Sequence, residues 1–483
     1  MSHSQHLARG MFWLGSATAA ARLFDVVSSI LVLRLLSGAE LGIATLALSV
    51  VAVIEGFNAL GMNNVIIQRA QLSEEQIASA WWYVLAVAAL MTGAMVLSAP
   101  LVAELYGAVE LAGLIRFASL KLLFVGLASV PLALLNRSLR FREVGAIMAV
   151  AAAVSSIVTL SLAWGGAGAW APLVGSTAHG LCQLIGACVF GFYRPRWAFS
   201  WTHVAPMARD GVQIAGAVSI GQLARNVDYL ILGKLLSLEL LGTYRAAFDL
   251  AMSPSLVVLQ VVNRAALPLY SRISAEGGDL APAVARTLRV VALLLIPALL
   301  IAAFGGPALA QLLDKTYEGN IGLVIGCLCV AAWLRGLSQC TPVLLIAAGR
   351  PTRALMQAAS SAGLLSLTLS IALVVWEGRD PLVVTALAWI VSCALQLVID
   401  FCLARPNLRL KAADWLNATV IPLGVALLTA LVALAVRRVA GLESQVLALA
   451  LDAAVIVLVY ALVVRYGLKI RPLQELRPRR ARS

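Results

Sequence analysis

Charged residues are scarce in this chain of 483 residues. Asp, Glu, Lys and Arg together make up only 12% of it, whereas 61% of the residues are hydrophobic and the mean hydropathy is +0.93. Apolar runs of about 20 residues recur along the whole length, and such runs are typical of helices that cross a membrane. Because backbone groups in lipid must be satisfied within their own segment, these runs are predicted to be helical. The composition excludes a soluble globular protein and predicts an all-α integral membrane protein.

The sequence also lacks the short motifs of several catalytic classes. It has no G-x-x-x-x-G-K-[ST] loop for ATP and no H-E-x-x-H metal motif. Its seven Cys form no C-x-x-C pair and lie in apolar runs, where a thiol packs as a small hydrophobic group. We therefore expect no enzymatic activity, no cofactor and no metal site. Because the sequence has no ATP-binding loop, any energy that the protein needs is expected to come from an ion gradient, the membrane potential or substrate flux.

Fourteen apolar segments are predicted to span the membrane, most of them near the length that a helix needs to cross the hydrocarbon core. They cover residues 11–36, 40–60, 79–103, 113–135, 143–164, 168–192, 210–233, 240–262, 284–304, 320–347, 353–376, 381–403, 416–437 and 443–465. The first is interpreted as a span and not as a signal peptide. The apolar run before the stretch SATAAA is only MFWLG, and the apolar pattern continues to Leu36.

The distribution of basic residues predicts that both termini are cytoplasmic. With that orientation, the even-numbered loops and the termini carry 20 of the 36 Lys and Arg residues, whereas the odd-numbered loops carry four and the others lie inside the spans. Cytoplasmic loops of membrane proteins carry such an excess of positive charge. The net charge of +13 is therefore interpreted as a topology signal and does not indicate a nucleic-acid partner. The basic tail RPRRARS is expected to lie beside anionic lipid headgroups as a topology anchor.

Short sequence segments recur about 200 residues apart. ARLFD at 21–25 is echoed by ARNVD at 224–228, RLLSGAELG at 34–42 by KLLSLELLG at 234–242, and SVPLALL at 129–135 by CTPVLLI at 340–346. The offsets are 203, 200 and 211, in the same order along the chain. This similarity is weak but consistent, and it indicates an internal repeat.

The repeat predicts the domain organisation. Six spans separate the two copies, an even number, so the copies have the same orientation in the membrane. This is typical of parallel repeats related by an axis along the membrane normal. We predict a six-helix lobe at 1–200, a second six-helix lobe at 201–405, and two additional helices with the basic tail at 406–483.

Ionisable residues within the spans are the candidate functional residues. A charge at the bilayer centre costs about 2.5–3.5 kcal/mol on insertion scales, so it usually faces the protein interior or a water-filled cavity. Residues three or four apart share a helix face, which predicts the pairs Arg22 with Asp25, Arg225 with Asp228, and Arg245 with Asp249. Two readings of these pairs stay open: they clamp helices together, or they serve the transport pathway. Lys121 and Arg335 have no acid near them in the sequence, and a cavity role is favoured for Arg335.

Other polar and aromatic residues have simpler interpretations. Arg116, Glu55 and Asp400 lie nearer span ends, from which a long side chain can reach the interface. Asp452 stands alone in the last span, and His179 is interpreted as a packed histidine. The aromatic residues Trp81, Trp82, Tyr83 and Tyr229 can stack on sugars, but such residues are more often anchors at the membrane interface.

Several stretches resemble a known transporter family. They are LRLLSGAELGIATLALSVV, LGMNNVIIQR and ARNVDYLILGKLLSLELLGTYRAAFDL, of which NVDYLILGKLL is the most specific. The chain resembles oligosaccharide-lipid flippases of the polysaccharide transporter family, the Wzx-type branch of the multidrug/oligosaccharidyl-lipid/polysaccharide exporter superfamily. The resemblance covers most of the first twelve spans.

The resemblance implies a function and a site. It implies two six-helix lobes plus two extra helices, a central cavity, alternating access, and a polyprenyl-diphosphate-linked oligosaccharide as cargo in the bacterial inner membrane. It also implies that cavity arginines meet the diphosphate, and the residues in a position to do so are Arg22, Arg225, Arg245 and Arg335, with Lys121 beside them. Asp25, Asp228 and Asp249 then pair with the arginines or take part in ion coupling. A polysaccharide polymerase and export machinery are the implied protein partners.

Three other functions remain open at this point. A multidrug antiporter of the same superfamily would favour unpaired acids in a cavity, and the spans of this chain hold both acids and bases. A lipid II flippase is poorly separated from the first reading by sequence. A membrane polymerase or ligase needs a sizeable extramembrane loop, and the odd-numbered loops have at most 15 residues, which argues against it.

Overall fold

The structure, a computed structural model, describes residues 24, 28–69, 71–191, 196–276, 278–312, 321–405, 412–440 and 445–467. Within these ranges it is helical and contains no strand. The helices are α1 (28–35), α2 (Gly38–Glu55), α3 (Met62–Gln68), α4 (Glu74–Tyr106), α5 (Leu111–Ala118), α6 (Leu120–Arg137), α7 (Phe141–Trp164), α8 (Trp170–Gly191), α9 (Trp201–Leu235), α10 (Leu238–Ala275), α11 (Ala281–Leu312), α12 (Ile321–Ser338), α13 (Cys340–Ala347), α14 (Pro351–Val375), α15 (Pro381–Ala404), α16 (Ala412–Ala440) and α17 (Gln445–Leu462).

Eleven helical segments among the described residues are long and apolar enough to cross a membrane. This confirms the all-α membrane class, but the count of fourteen stays a prediction. The first predicted span lies largely outside the described residues. The seventh and eighth correspond to α9 and α10, which are longer than predicted and are not among the eleven. The short helix α3, which follows α2, was not predicted.

One face of α4 shows how the helices meet lipid. Its buried side carries mostly small residues: Ala80, Val84, Ala88, Met95, Ala99 and Ala103. Its opposite side exposes large apolar residues: Leu90, Leu97, Leu101 and Leu105. Small residues let neighbouring helices approach closely in a membrane, while leucine is at home against lipid tails. This inverted amphipathicity fits a multi-pass membrane protein.

The repeat appears in the order and the starts of the helices. The pairs α2 and α10, α5 and α12, α7 and α14, and α8 and α15 begin 200 to 211 residues apart. The Ser37 hydroxyl accepts from the backbone N–H of Glu40, whose side chain accepts from the N–H of Ser37, which forms a capping box. The Ser237 hydroxyl likewise accepts from the N–H of Leu240. The two echoing segments therefore begin their helices in the same way.

The same two segments pack against each other through glycine. A Cβ atom added to Gly42 would overlap the carbonyl oxygen of Leu238, and one added to Gly242 would overlap that of Gly38. Only residues without a side chain allow backbones to come this close, which is a common way for helices to associate in membranes. These glycines hold the start of α10 against the start of α2.

The helices form two compact units, Met1–Arg245 and Ala246–Ser483. In the first unit α8 packs on α6 and α7, and α9 packs on α2, α3 and α4. In the second unit α15 packs on α12 and α14, while α16 and α17 pack on α11. Since α9 was assigned to the second lobe, the lobe boundary at 200 stays a prediction from the repeat.

Candidate functional site

A buried carboxylate lies between α9 and the start of α10. The side chain of Asp228 is 1% exposed, and its Oδ2 accepts a hydrogen bond of 2.7 Å from the hydroxyl of Tyr244, which is fully buried. Tyr244 packs edge-to-face on Tyr229 with ring centroids 5.7 Å apart. The guanidinium of Arg245 lies 5.1 Å from the centroid of the Tyr229 ring, within cation–π range. Tyr229 is thus part of the packing around Asp228.

Arg225 lies one helical turn before this cluster and is exposed. Its Nε and Nη2 atoms donate hydrogen bonds of 2.9 and 2.6 Å to Oε1 of Gln222. An amide oxygen orients the guanidinium fork without neutralising its charge. Arg225 and Asp228 each make further contacts, and their predicted pairing stays a prediction, as does that of Arg245 with Asp249.

Lys121 has an acidic partner that the sequence interpretation missed. Its Nζ lies 2.9 Å from Oε2 of Glu55, and each side chain is 21% exposed. Lys121 belongs to α6 and Glu55 ends α2, so the pair joins two helices that are far apart in sequence. Glu55 does not stand alone at a span end, because it neutralises this lysine. Asp452, which has no acid or base near it in its span, likewise lies 3.3 Å from Nη1 of Arg437 on α16.

Arg335 of α12 lies on an aromatic surface in the second unit. Its Cζ atom is 5.0 Å from the centroid of the Trp389 ring on α15, and Trp389 in turn contacts Phe248 with ring centroids 5.4 Å apart. The Arg335 side chain is half-buried. Stacking on an indole ring orients the plane of a guanidinium and leaves its N–H groups for an anion.

The remaining predicted residues are placed as follows. Arg22 and Asp25 lie outside the described residues. Asp249 is half-buried on α10, and its backbone carbonyl accepts a hydrogen bond from the Ser253 hydroxyl. His179 is half-buried, with its Nε2 3.0 Å from the side-chain amide of Gln183. Asp400 does not reach the surface from its span end, because its side chain is completely buried.

The sequence interpretation missed a group of polar residues around Asp400. Gln396 and Asp400 are four residues apart in an apolar span, and this i,i+4 spacing is the local signal for such a group. Their partners Ser338, Gln357 and Ser360 come from other helices and were not recognisable locally. Among the described residues, no group of three or more His, Cys, Asp or Glu side chains is arranged to hold a metal ion.

Aromatic residues cluster where α4 and α9 begin. Trp82 packs on Trp81 and Trp197 with ring centroids 5.0 and 4.7 Å apart. An open cleft of about 470 Å³ next to them is lined by Trp82, Tyr83, Ala86, Val87, Leu90, Phe199 and Trp201. Its lining is almost entirely apolar, which agrees better with an aromatic belt at the membrane interface than with a sugar-binding site.

The chain is similar to proteins of polysaccharide biosynthesis. The family model described as polysaccharide biosynthesis protein matches residues 31–318. The lipopolysaccharide biosynthesis protein WzxC of Escherichia coli strain K12 is 25% identical over 359 residues, 72% of this chain and 72% of that protein. The succinoglycan biosynthesis transport protein ExoT of Rhizobium meliloti strain 1021 is 28% identical over 279 residues, 58% of this chain and 56% of that protein.

Solved structures share the fold. The lipid II flippase MurJ in an inward closed conformation superposes with a TM-score of 0.75 at 14% identity, and the match covers 95% of this chain and 99% of that one. An inward-facing MATE family transporter of the MOP superfamily gives 0.61 at 14% identity, over 80% of this chain and 95% of that one. At such identities the likeness concerns the fold alone.

Proposed function

Because this chain belongs to the polysaccharide biosynthesis protein family, we propose that it is a flippase for polyprenyl-diphosphate-linked oligosaccharide repeat units in the bacterial inner membrane. The observation that carries the proposal is the match to this family together with a MOP transporter fold. The fold is compatible with alternating access, and the description of the family supports an oligosaccharide-linked cargo. The polysaccharide made from the cargo is an exopolysaccharide, an O-antigen or another lipopolysaccharide component.

The proposed contacts with the diphosphate are cationic residues in the helices. A diphosphate is bound well by permanently charged donors with a planar fork, which arginine supplies. In the first unit Arg225 is exposed and oriented by Gln222, and Arg245 lies over Tyr229. In the second unit Arg335 lies on Trp389. Lys121 is proposed as a weaker donor, since Glu55 already neutralises it.

The proposed roles of the other site residues follow from these contacts. Arg22 is proposed as a further diphosphate contact by its position in the repeat, with Asp25 beside it. Asp228 is proposed as a structural acceptor because Tyr244 binds it in a buried site. Asp249 is proposed to balance the charge of Arg245, four residues earlier on α10.

The proposed orientation in the membrane follows from the distribution of the basic residues. We propose that both termini are cytoplasmic and that the tail after α17 contacts anionic lipids. A polymerase that elongates the translocated units on the far side of the membrane, together with export machinery, is the proposed protein partner. Lipid II is not favoured as the cargo, because the likeness to MurJ extends to the fold alone at 14% identity.

Deletion of the gene in its parent bacterium tests this function. We expect lipid-linked repeat units to accumulate in the cytoplasmic leaflet and surface polysaccharide to be lost, since synthesis of the units continues while their transfer stops. Restoring the gene in trans is the control. Accumulation of units in the outer leaflet would instead indicate a polymerase and would contradict the proposal. Accumulation of lipid II would identify lipid II as the cargo.

A further inference from the structure

A connected set of polar side chains lies inside the second unit. Gln396 of α15 donates a hydrogen bond of 2.9 Å to Oδ1 of Asp400 and one of 3.1 Å to Oγ of Ser360 on α14. Gln357 of α14 donates one of 3.2 Å to Oγ of Ser338 on α12. Asp400, Gln396, Gln357 and Ser338 are at most 4% exposed. Three helices therefore contribute polar groups to one buried carboxyl group.

One oxygen of this carboxyl group lacks a partner. Among the described residues, Oδ2 of Asp400 makes no hydrogen bond, although the Ser338 hydroxyl and the Gln357 amide border the carboxyl group. The hydroxyl oxygen of Thr341, which follows Cys340 on α13, is also buried and has no hydrogen-bond partner among the described residues. A buried ionised carboxylate is costly unless it is fully paired, and binding a cation at the open oxygen removes that cost.

The titratable and charged groups around Asp400 do not neutralise it. The thiol of Cys340 on α13 and the thiol of Cys393 on α15 both lie near the Asp400 carboxyl group. The positive charge of Arg335 on α12 lies close enough to interact with the thiol of Cys393, and its guanidinium lies on the ring of Trp389. Arg353 of α14 donates to the backbone carbonyl of Leu403. The salt bridges found among the described residues do not include Asp400, whereas Asp452 has Arg437 and Glu55 has Lys121.

We propose that Asp400 is a reversible proton-binding site, with the proton on Oδ2 and with Gln396, Gln357, Ser338 and Ser360 as its polar surroundings. A proton is the smallest cation that neutralises the group and needs only one open oxygen, whereas a larger ion needs several oxygen ligands arranged around it. That the proton drives transport is a further step, and it rests on the proposed function.

The position of Asp400 on α15 connects it to Arg335. Trp389, Cys393, Gln396 and Asp400 follow spacings of four, three and four residues, so they share one buried face of the helix. The face extends over about 16 Å from the ring under Arg335 to the proton site. A displacement of α15 that accompanies protonation would move the Trp389 surface on which Arg335 lies. By thermodynamic linkage, an anion that binds at Arg335 and displaces α15 would in turn change the proton affinity of Asp400.

The first unit lacks an equivalent site at the corresponding positions. The helices α8 and α15 begin 211 residues apart, and with this offset Asp400 corresponds to Val189 and Gln396 to Ile185. Both residues are exposed apolar side chains on α8. The polar group around Asp400 is therefore not a requirement of the repeated fold.

Infrared difference spectroscopy of the purified protein in lipid nanodiscs tests the binding step. Between alkaline and mildly acidic buffer we expect a carbonyl stretch of a protonated carboxylic acid to appear, and to be absent in Asp400→Asn. Asp452→Asn is the matched control, because Asp452 is equally buried but has a cationic partner; this variant keeps the band. Unchanged circular dichroism shows that Asp400→Asn is folded.

Two results would overturn the proposal. If folded Asp400→Asn protein keeps the band, or if the wild-type protein shows no band, Asp400 is not the proton-binding site. Loss of the band when Na⁺ replaces choline at constant acidity would assign the site to sodium. The band does not depend on transport, so it separates this inference from the proposed function. If the proton also drives transport, Asp400→Asn lowers surface polysaccharide in the complemented deletion strain at least about fivefold, the low end of typical couplings.

Discussion

Replacing Arg225 with alanine is expected to reduce surface polysaccharide about 10- to 150-fold, while the protein remains in the membrane at its normal amount. The lost contact is a charge-assisted hydrogen bond to phosphate, worth about 1.5–3 kcal/mol or a factor of about 10 to 150 in rate. Folding is expected to survive, because the buried Asp228 keeps its hydrogen bond from Tyr244. Arg225→Lys retains the charge without the fork and should recover only part of the export.

A double variant separates binding from packing at this position. Arg225→Ala combined with Asp228→Asn removes both charges but leaves an oxygen acceptor for the buried Tyr244 hydroxyl. We expect this protein to be present in the membrane and inactive. Asp228→Ala is less informative, since it removes the acceptor that Tyr244 uses in a buried site, which costs about 1–3 kcal/mol. Normal export by the double variant would show that Arg225 only balances a structural acid.

Replacing Arg335 with alanine is expected to have an effect of similar size in the second unit. Trp389 holds the guanidinium in place from one side, so its N–H groups are ordered before an anion arrives and little entropy is lost on binding. Export should fall about 10- to 150-fold, as expected for a lost charge-assisted contact. Arg379→Ala, at an exposed arginine after α14, is the control and should export normally.

The level of Arg335→Ala in the membrane decides how its result is interpreted. Equal amounts of wild-type protein, Arg335→Ala and Arg379→Ala on an immunoblot make a loss of export a loss of transport. Trp389→Phe keeps a ring but weakens cation–π attraction, so intermediate export is expected. Full export by Arg335→Ala at normal protein levels would remove this residue from the diphosphate site.

The sequence was sufficient to predict the helices because the signal for a span is local. Twenty apolar residues fix both the helix and its environment, and the capping serines at 37 and 237 mark helix starts that also reveal the repeat. The lengths of α9 and α10 were underestimated, because each continues beyond its apolar part into polar turns such as Trp201–Pro206. The short helix α3 has too few residues for a periodic pattern.

The partners of the buried charges could not be predicted in the same way. Arg225 and Arg335 were selected because arginine in an apolar run is visible locally. The partner of Lys121 is Glu55, and the partner of Asp228 is Tyr244. Each partner lies on another helix, so the packing of the helices decides which side chains come into contact. The environment of Asp400 is the clearest case, since a residue assigned to a span end proved to be completely buried.

The central claim is that this protein transfers lipid-linked oligosaccharide between leaflets, and reconstitution tests it most directly. The purified protein is placed in liposomes with a fluorescently labelled polyprenyl-diphosphate oligosaccharide, and the label in the outer leaflet is quenched by an impermeant reductant. We predict that wild-type protein raises the quenchable fraction from about half to nearly all, whereas liposomes without protein or with Arg225→Ala stay near half. A quenchable fraction that stays near half with folded wild-type protein, across an imposed proton gradient of either sign, would contradict the account.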